Sequence, residues 1–203
     1  VAGSGKSSLV HDEFLRRFPE AVVVDQEAVS RNSRSNPATF LGIFDDIRKL
    51  YARATGQPAS MFSFNSDGAC PGCKGQGAVS VDMHFLDEVR IPCSQCGGRR
   101  YTDEVLGLRW EGLNVAELLE KTVLEARDIL LQSRIRSALE LLCEVGLDYL
   151  TLGQSLSTLS GGECQRLKLA SELGKTGNTY VLDEPTTGLH LSDIGRLIAI
   201  LDR

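Results

Sequence analysis

Two stretches decide the fold of this chain: Leu159-Ser160-Gly161-Gly162-Glu163-Cys164-Gln165 and Tyr180-Val181-Leu182-Asp183-Glu184-Pro185. In the first, a serine followed three residues later by a glutamate is the capping box that opens a helix. That box explains Ser160 and Glu163, but not the two glycines between them, which cost helix stability in a first turn. Such glycines are expected where backbone N–H groups approach an anion closely. The first stretch therefore predicts a phosphate contact at a helix start.

The second stretch is an apolar strand that ends in two adjacent carboxylates. We expect Asp183 to hold Mg²⁺, directly or through water, and Glu184 to orient or deprotonate the attacking water. The alternative is a turn in which acidic residues simply precede Pro185. The following Thr186-Thr187-Gly188-Leu189-His190 favours the first interpretation, because it matches the dimer-contact loop of ATP-binding cassettes. Together the two stretches predict an ATPase whose sites are each built from two halves.

A third element, Gly3-Ser4-Gly5-Lys6-Ser7-Ser8, has the character of a phosphate loop. Gly5-Lys6-Ser7 fits the end of the pattern G-x-x-x-x-G-K-[ST], whose first glycine would fall immediately before Val1. Lys6 is expected to reach the β- and γ-oxygens, and the Ser7 hydroxyl to bind Mg²⁺. The alternative is a flexible Gly/Ser-rich terminus, which the later motifs disfavour. The candidate nucleotide-binding residues are Gly3, Ser4, Gly5, Lys6, Ser7, Ser8, Ser160, Gly161, Gly162 and Asp183.

Four of the six cysteines form two Cys-x-x-Cys pairs: Cys70, Cys73, Cys93 and Cys96. This spacing, with glycines beside both pairs, fits a tetrahedral zinc site of four thiolates. Redox-active pairs, or two pairs of buried structural cysteines, are the alternatives. His84 lies between the pairs, but its parity in an alternating strand predicts a solvent-facing side chain rather than a metal ligand.

The composition is that of an ordinary globular protein, with 42% hydrophobic and 24% charged residues among 203. A net charge of −5 gives no electrostatic indication of a nucleic-acid partner, so any such contact has to be local. No apolar run approaches the length of a membrane span, and we expect no signal peptide ahead of the first motif.

Apolar periodicity predicts the secondary structure around these motifs. Strands are expected at 21–24, 79–85 and 179–182, and a loop at 27–39. Helices are expected after the phosphate loop and at 40–54, 116–131, 135–145, 160–173 and 191–201.

The phosphate loop, the four-cysteine module ahead of the signature helix, and residues 182–190 together resemble the C-terminal half of the UvrA family. The similarity also covers residues 34–39, 83–86 and 159–173, and so spans essentially the whole chain. Members of this family are the ATP-binding, damage-recognising subunits of the bacterial excinuclease. The resemblance implies an α/β fold: an ABC-type P-loop NTPase core with an inserted zinc-binding module and a helical signature subdomain.

The resemblance also implies four domain segments. Residues 1–54 form the first part of the ATPase core, with the phosphate loop and Q-loop, and residues 55–110 form the inserted four-cysteine module. The helical signature subdomain covers 111–158. The signature helix, the carboxylate pair and the dimer-contact loop occupy 159–203.

Residue roles and partners follow from the same resemblance. Gln26 corresponds to the Q-loop glutamine that senses the metal and the γ-phosphate, so Gln26 and Glu184 are the expected catalytic residues. The implied ligands are ATP, Mg²⁺ at Ser7 and Asp183, and Zn²⁺ at the four cysteines. The implied partners are damaged double-stranded DNA, the other ABC half, a second UvrA copy, and UvrB through regions outside this chain. No membrane contact and a bacterial cytoplasmic location are expected.

Several positions depart from the family pattern. Cys164 stands where alanine is usual, Ala2 where serine is common, and Ser30-Arg31-Asn32 where Gly-Arg-Thr is usual. These departures are compatible with a UvrA-like paralog that gives resistance to DNA-binding drugs. A further alternative is a zinc-stapled interaction module with little ATPase activity. The switch histidine is expected beyond Arg203, so the isolated chain is predicted to hydrolyse ATP weakly or not at all.

Overall fold

The computed structural model describes residues 9–24, 32, 34–83, 86–175, 179–182, 195 and 198. The helices are α1 (Leu15–Arg17, after a π-helical turn over Leu9–Phe14), α2 (Pro37–Phe40), α3 (Phe44–Thr55), α4 (Asp103–Gly107), α5 (Val115–Leu119), α6 (Val123–Ile129), α7 (Ser133–Glu144) and α8 (Gly161–Leu173). The strands are β1 (Val22–Val24), β2 (Ala78–Met83), β3 (Leu86–Pro92) and β4 (Tyr180–Leu182). Short 3-10 turns occupy Ala59–Phe62 and Leu156–Thr158. None of the described helices is long and apolar enough to cross a membrane.

The two core strands, β1 and β4, form a parallel pair. The register pairs are Val22 with Tyr180, Val23 with Val181 and Val24 with Leu182. Both strands were predicted from their apolar runs, and both are confirmed. Parallel strands require a long crossover connection, and here that connection contains the helices α2 to α8 and the β2–β3 hairpin. The carboxyl ends of β1 and β4 therefore lie at the same edge, where ligand sites form in α/β sheets.

Most of the described core is helical. The helices α3 and α7 each bury one apolar stripe with helical spacing: Phe44, Ile47 and Tyr51 on the first, and Ile135, Leu139 and Leu142 on the second. The helix predicted after the phosphate loop is present as the π-helical turn and α1. The helices predicted at 40–54, 135–145 and 160–173 are confirmed, with ends that differ by no more than four residues. Of the helix predicted at 191–201, only residues 195 and 198 are described, and both are helical.

The single helix predicted over 116–131 is wrong, because the chain forms two helices there, α5 and α6. The Thr122 side chain accepts the Glu125 N–H at 3.2 Å, and the Glu125 carboxylate accepts the Thr122 N–H at 2.9 Å. This capping box starts a new helix. The Lys121 carbonyl accepts a hydrogen bond from the N–H of Leu152 at 3.0 Å. This carbonyl is therefore turned away from the hydrogen-bond ladder that a continuous helix would need.

The loop predicted over 27–39 is wrong at its C-terminal end, because α2 begins at Pro37. The Asn36 side chain accepts the Thr39 N–H, and the Thr39 hydroxyl oxygen accepts the Asn36 N–H, both at 2.9 Å. Pro37 occupies the first helical position, where its fixed φ suits the helix and its missing N–H costs nothing. Asn36 is fully buried by this arrangement.

The cysteine module is built on an antiparallel hairpin of β2 and β3. The predicted strand at 79–85 is confirmed over 79–83 as part of β2, and residues 84 and 85 lie outside the described residues. The strand β3 was not predicted, because the adjacent acids at 87 and 88 break its alternation. The four cysteines form a buried cluster of their own, against which Val79 packs. Phe62 and Tyr101, which lie on either side of the cysteine pairs in the sequence, belong instead to the main core. The hairpin is therefore attached to the helices by two apolar flanks.

Candidate nucleotide and metal sites

The signature turn, defined as Ser160 to Glu163, opens α8 with two reciprocal hydrogen bonds. The Ser160 Oγ accepts the N–H of Glu163 at 3.3 Å, and the Glu163 Oε2 accepts the N–H of Ser160 at 2.7 Å. Ser160 itself has an extended backbone, with φ −65° and ψ 164°. The capping box predicted from the sequence is confirmed.

The outer face of the signature turn is open. Ser160 and Gly161 are exposed, and a β-carbon built at Gly161 meets no heavy atom within 4 Å. Gly161 does not have a positive φ. Neither packing against described residues nor backbone conformation therefore requires a glycine here. Close approach of an anion to the backbone N–H groups would favour one, because a glycine has no side chain to obstruct it.

The residues on either side of the signature turn are buried, and the segment before the turn is hydrogen-bonded to residues around the start of α2. Leu159 and Cys164 are buried on either side of the turn. Just before it, the N–H of Leu156 donates to the carbonyl of Ser35 at 2.9 Å, and the N–H of Ala38 donates to the Leu152 carbonyl at 3.3 Å. These two bonds join the start of α2 to the segment that leads into α8.

Tyr149 reaches the signature turn from the loop after α7. Its hydroxyl donates to the Glu163 Oε1 at 2.6 Å, so the two carboxylate oxygens have separate donors. Burial opposes ionisation of this carboxyl, but the bonds from Tyr149 and Ser160 outweigh it and hold the pKa of Glu163 below its ordinary value. The positive charge of Arg166 acts in the same direction. Glu163 is therefore ionised at neutral pH.

The four cysteine thiols of the module converge on one point. All four Sγ atoms lie within 4.8 Å of one another, with 4.0 Å between Cys70 and Cys93 and 3.7 Å between Cys73 and Cys96. A zinc–sulfur bond of about 2.3 Å gives a tetrahedron with sulfur–sulfur edges of about 3.8 Å. All four residues are buried and none forms a disulfide. The cluster could thus hold zinc.

Backbone N–H groups point at these thiols, as expected around thiolates. The N–H of Gly77 donates to the Cys73 Sγ at 3.2 Å, and that of Arg100 donates to the Cys96 Sγ at 3.4 Å. The N–H of Cys96 lowers the pKa of Cys93 to about 7, whereas burial raises the pKa of Cys96 to about 12. One thiolate is stabilised by local dipoles, but further negative charge in this buried cluster needs a cation. A divalent metal bound here would supply it.

The other predicted site residues lie outside the described residues: Gly3, Ser4, Gly5, Lys6, Ser7, Ser8, Gln26, Asp183 and Glu184. His84, which was predicted not to be a metal ligand, also lies outside them. In the sequence, Gln26 comes two residues after β1 and Asp183 directly after β4. The described members are Ser160, Gly161 and Gly162 of the signature turn and the four cysteines.

Sequence reasoning missed Tyr149 and Asn36. The first contacts a residue fourteen positions away, through packing that no local pattern encodes. Asn36 did have a local signal. An asparagine followed directly by proline, with a threonine three positions after the asparagine, is typical of a helix start.

The chain belongs to the ABC family: residues 74–187 match the family described as "ABC transporter". Among its relatives, it is similar to UvrABC system protein A of Listeria monocytogenes serotype 4b (strain F2365), with 45% identity over 237 residues. It is 44% identical over 236 residues to the protein of the same name from Staphylococcus aureus (strain COL). Each match covers 100% of this chain and 25% of the relative, so the chain spans about a quarter of the length of these proteins.

A solved structure gives the same result. The crystal structure of UvrA2 from Deinococcus radiodurans matches with a TM-score of 0.85 and 40% identity, covering 100% of this chain and 30% of that one. The predicted resemblance to UvrA, and the ABC-type α/β fold that it implied, are confirmed.

Proposed function

We propose that this chain is an ATP-binding half of a UvrA-type ATPase, which uses ATP to control its hold on damaged DNA in nucleotide excision repair. One observation carries the proposal. An open signature turn and a buried four-cysteine cluster occur together in a chain that is 45% identical over its whole length to UvrABC system protein A. A generic ABC cassette lacks the four-cysteine insertion.

In the proposed nucleotide site, Lys6 binds the β- and γ-phosphate oxygens, while Ser7 and Asp183 hold Mg²⁺. Glu184 orients or deprotonates the attacking water, and Gln26 senses the metal and the γ-phosphate. The remaining phosphate-loop residues, Gly3, Ser4, Gly5 and Ser8, surround the β-phosphate. The parallel pairing of β1 with β4 supports these roles, because Gln26 and Asp183 follow neighbouring carboxyl ends.

The signature turn acts in a different site from the carboxylates of the same chain. Ser160 and the N–H groups of Gly161 and Gly162 contact the γ-phosphate of a nucleotide held by an opposite ABC half. The open face of the turn supports this role, since a phosphate needs unobstructed access to the backbone. Each chain then contributes half of two composite sites, and the isolated chain hydrolyses ATP weakly.

The domain division proposed is the one implied by the sequence: core at 1–54 and 159–203, cysteine module at 55–110 and signature subdomain at 111–158. The four cysteines bind Zn²⁺. The proposed partners are damaged double-stranded DNA, the other ABC half, a second UvrA copy and UvrB through regions outside this chain, in the bacterial cytoplasm.

ATP turnover by the assembled UvrA-type protein tests the enzymatic part of the proposal. Glu184→Gln is expected to lower kcat on the order of 10²-fold or more, because it removes the group that activates water. Nucleotide affinity should change little. The control is Glu140→Gln, since Glu140 lies on the surface of α7 and pairs with Arg136. Equal turnover by the Glu184 variant and the unsubstituted protein contradicts the assignment.

Complementation of an excision-deficient bacterial strain tests the repair role. The gene that encodes the assembled protein is expected to restore resistance to ultraviolet damage. Failure to do so at normal expression, together with resistance to a DNA-binding drug, would instead identify a drug-resistance paralog.

A further inference from the structure

We propose that Tyr149 is a positioning residue for the signature serine: acting through Glu163, its hydroxyl holds Ser160 in the orientation that meets the phosphate. The inference rests on the proposed function, because it concerns the same nucleotide contact. It adds a residue outside the signature turn, contributed by the loop that follows α7.

The loop that presents Tyr149 is firmly held. Its neighbours Leu147 and Leu150 are buried to 0% and 1% exposure. The Asp148 carbonyl accepts the N–H of Leu124 at 3.1 Å, and the Leu150 carbonyl accepts the N–H of Val123 at 2.8 Å. The backbone on both sides of Tyr149 is thus bonded to the first turn of α6. Because this backbone is fixed, the exposed Tyr149 side chain starts from a defined position. Its hydroxyl can therefore hold a hydrogen-bond partner in place.

The Glu163 carboxylate links the fixed position of the Tyr149 hydroxyl to that of Ser160. One oxygen accepts from the Tyr149 hydroxyl at 2.6 Å and the other from the Ser160 N–H at 2.7 Å, so rotation of the carboxylate breaks both bonds. The Ser160 Oγ in turn accepts the N–H of Glu163 at 3.3 Å. A serine hydroxyl has one hydrogen and two lone pairs. With a lone pair engaged by Glu163, the hydrogen can be donated outward to a phosphate oxygen.

The two other capping boxes of the described helices that contain a glutamate, at Asn114 and Thr122, show what is particular about this one. In them the capping glutamate also pairs with a cation: Glu117 with Arg109 at 3.0 Å, and Glu125 with Lys121 at 3.4 Å. At the signature turn the additional donor is a neutral phenol. A long cationic side chain at that place could leave the carboxylate and pair with an arriving phosphate. The phenol on its fixed loop adds a donor that carries no charge of its own, beside the field of Arg166 that also acts on this carboxylate.

The test uses Tyr149→Phe in the assembled UvrA-type protein, with Tyr51→Phe as the matched control. The first substitution removes the bond to Glu163, and the second removes a bond from the Tyr51 hydroxyl to the Leu113 carbonyl, at 3.1 Å in the core. Tyr149→Phe is expected to lower kcat/KM for ATP about two- to tenfold, the loss that one hydrogen bond of ordinary net strength accounts for. Affinity for a non-hydrolysable ATP analogue should fall by the same factor and affinity for ADP should not, because ADP lacks the γ-phosphate. Tyr51→Phe should change only the unfolding temperature.

A double-mutant cycle with Ser160→Ala decides whether Tyr149 acts through the serine. In the Ser160→Ala background, Tyr149→Phe should cause no further loss of turnover. Unchanged kinetics in the single variant, equal losses of ATP-analogue and ADP affinity, or the same loss in both backgrounds would each overturn the inference. An unsubstituted protein that does not hydrolyse ATP would instead overturn the proposed function. The two failures are therefore distinguishable.

Discussion

Gly75 lies so close to Phe64 that a β-carbon at Gly75 would stand 1.6 Å from the Phe64 carbonyl oxygen. Gly75 also has a φ of +75°, in the left-handed region that favours glycine. The Phe64 ring stacks on Phe44 of α3 at 5.1 Å between centroids, and meets Tyr101 edge-on at 6.1 Å. The loop after Cys73 is therefore seated directly on the main core.

Gly75→Ala should consequently destabilise the protein by at least about 2 kcal/mol, since backbone strain adds to a clash that the core cannot relax. Gly97→Ala is the matched control. Gly97 has a φ of +58°, but its β-carbon would meet nothing within 4 Å, so only the strain of about 1–2 kcal/mol remains. Urea unfolding of both variants measures the difference. Equal losses of unfolding free energy in the two variants would show that the contact with Phe64 does not contribute to the destabilisation.

Zinc should be present at about one ion per chain, because the four thiols match a single tetrahedral site. Cys96→Ser is expected to lose the metal and lower the unfolding temperature, since the buried cluster then has no cation to hold its thiolates together. Cys143→Ser should retain the zinc, because Cys143 lies outside the cluster. Metal analysis and thermal unfolding provide the readouts. Zinc well below one per chain in freshly purified protein contradicts four-thiolate ligation.

Gly161→Ala should separate stability from function. The open surroundings of Gly161 accept a methyl group, and alanine favours the helix, so stability should stay the same or rise by up to about 1 kcal/mol. ATP turnover by the assembled protein should nevertheless fall, because the methyl group obstructs the approach of a phosphate to the backbone. Thermal unfolding and turnover are measured together. A variant that is both as stable and as active as the parent argues against a phosphate contact at this turn.

The three capping glutamates should make stability sensitive to acid. The N–H of Asn114 lowers the pKa of Glu117, that of Thr122 lowers the pKa of Glu125, and hydrogen bonding overcomes burial to lower that of Glu163. Their stabilising contribution is complete above the unfolded pKa of about 4.3, and is lost as the pH falls through the lower folded values.

Replacing all three glutamates by glutamine should therefore flatten the decline in stability below about pH 5. Glu140→Gln, which removes a surface carboxylate that pairs with Arg136, serves as the control. Urea unfolding across the acid range makes the measurement. An acid decline as steep in the triple variant as in the parent would exclude the capping boxes as its source.

Local chemistry in the sequence determined several features of this protein. The capping box at Ser160, the apolar strands β1 and β4 and the four-cysteine cluster were all predictable, because each depends on residues close together in sequence or on a spacing that one metal imposes. The family resemblance rests on the same short motifs. Periodicity failed at Thr122, where a capping box interrupts an apolar pattern that is otherwise continuous.

Only the tertiary structure decided which distant groups meet. The pairing of Tyr149 with Glu163, the bond between Leu156 and Ser35, and the closeness of Gly75 to Phe64 all depend on how the long crossover between β1 and β4 folds back on itself. Such contacts leave no periodic signal, because each one is fixed by packing of whole helices and not by the residues beside it in sequence.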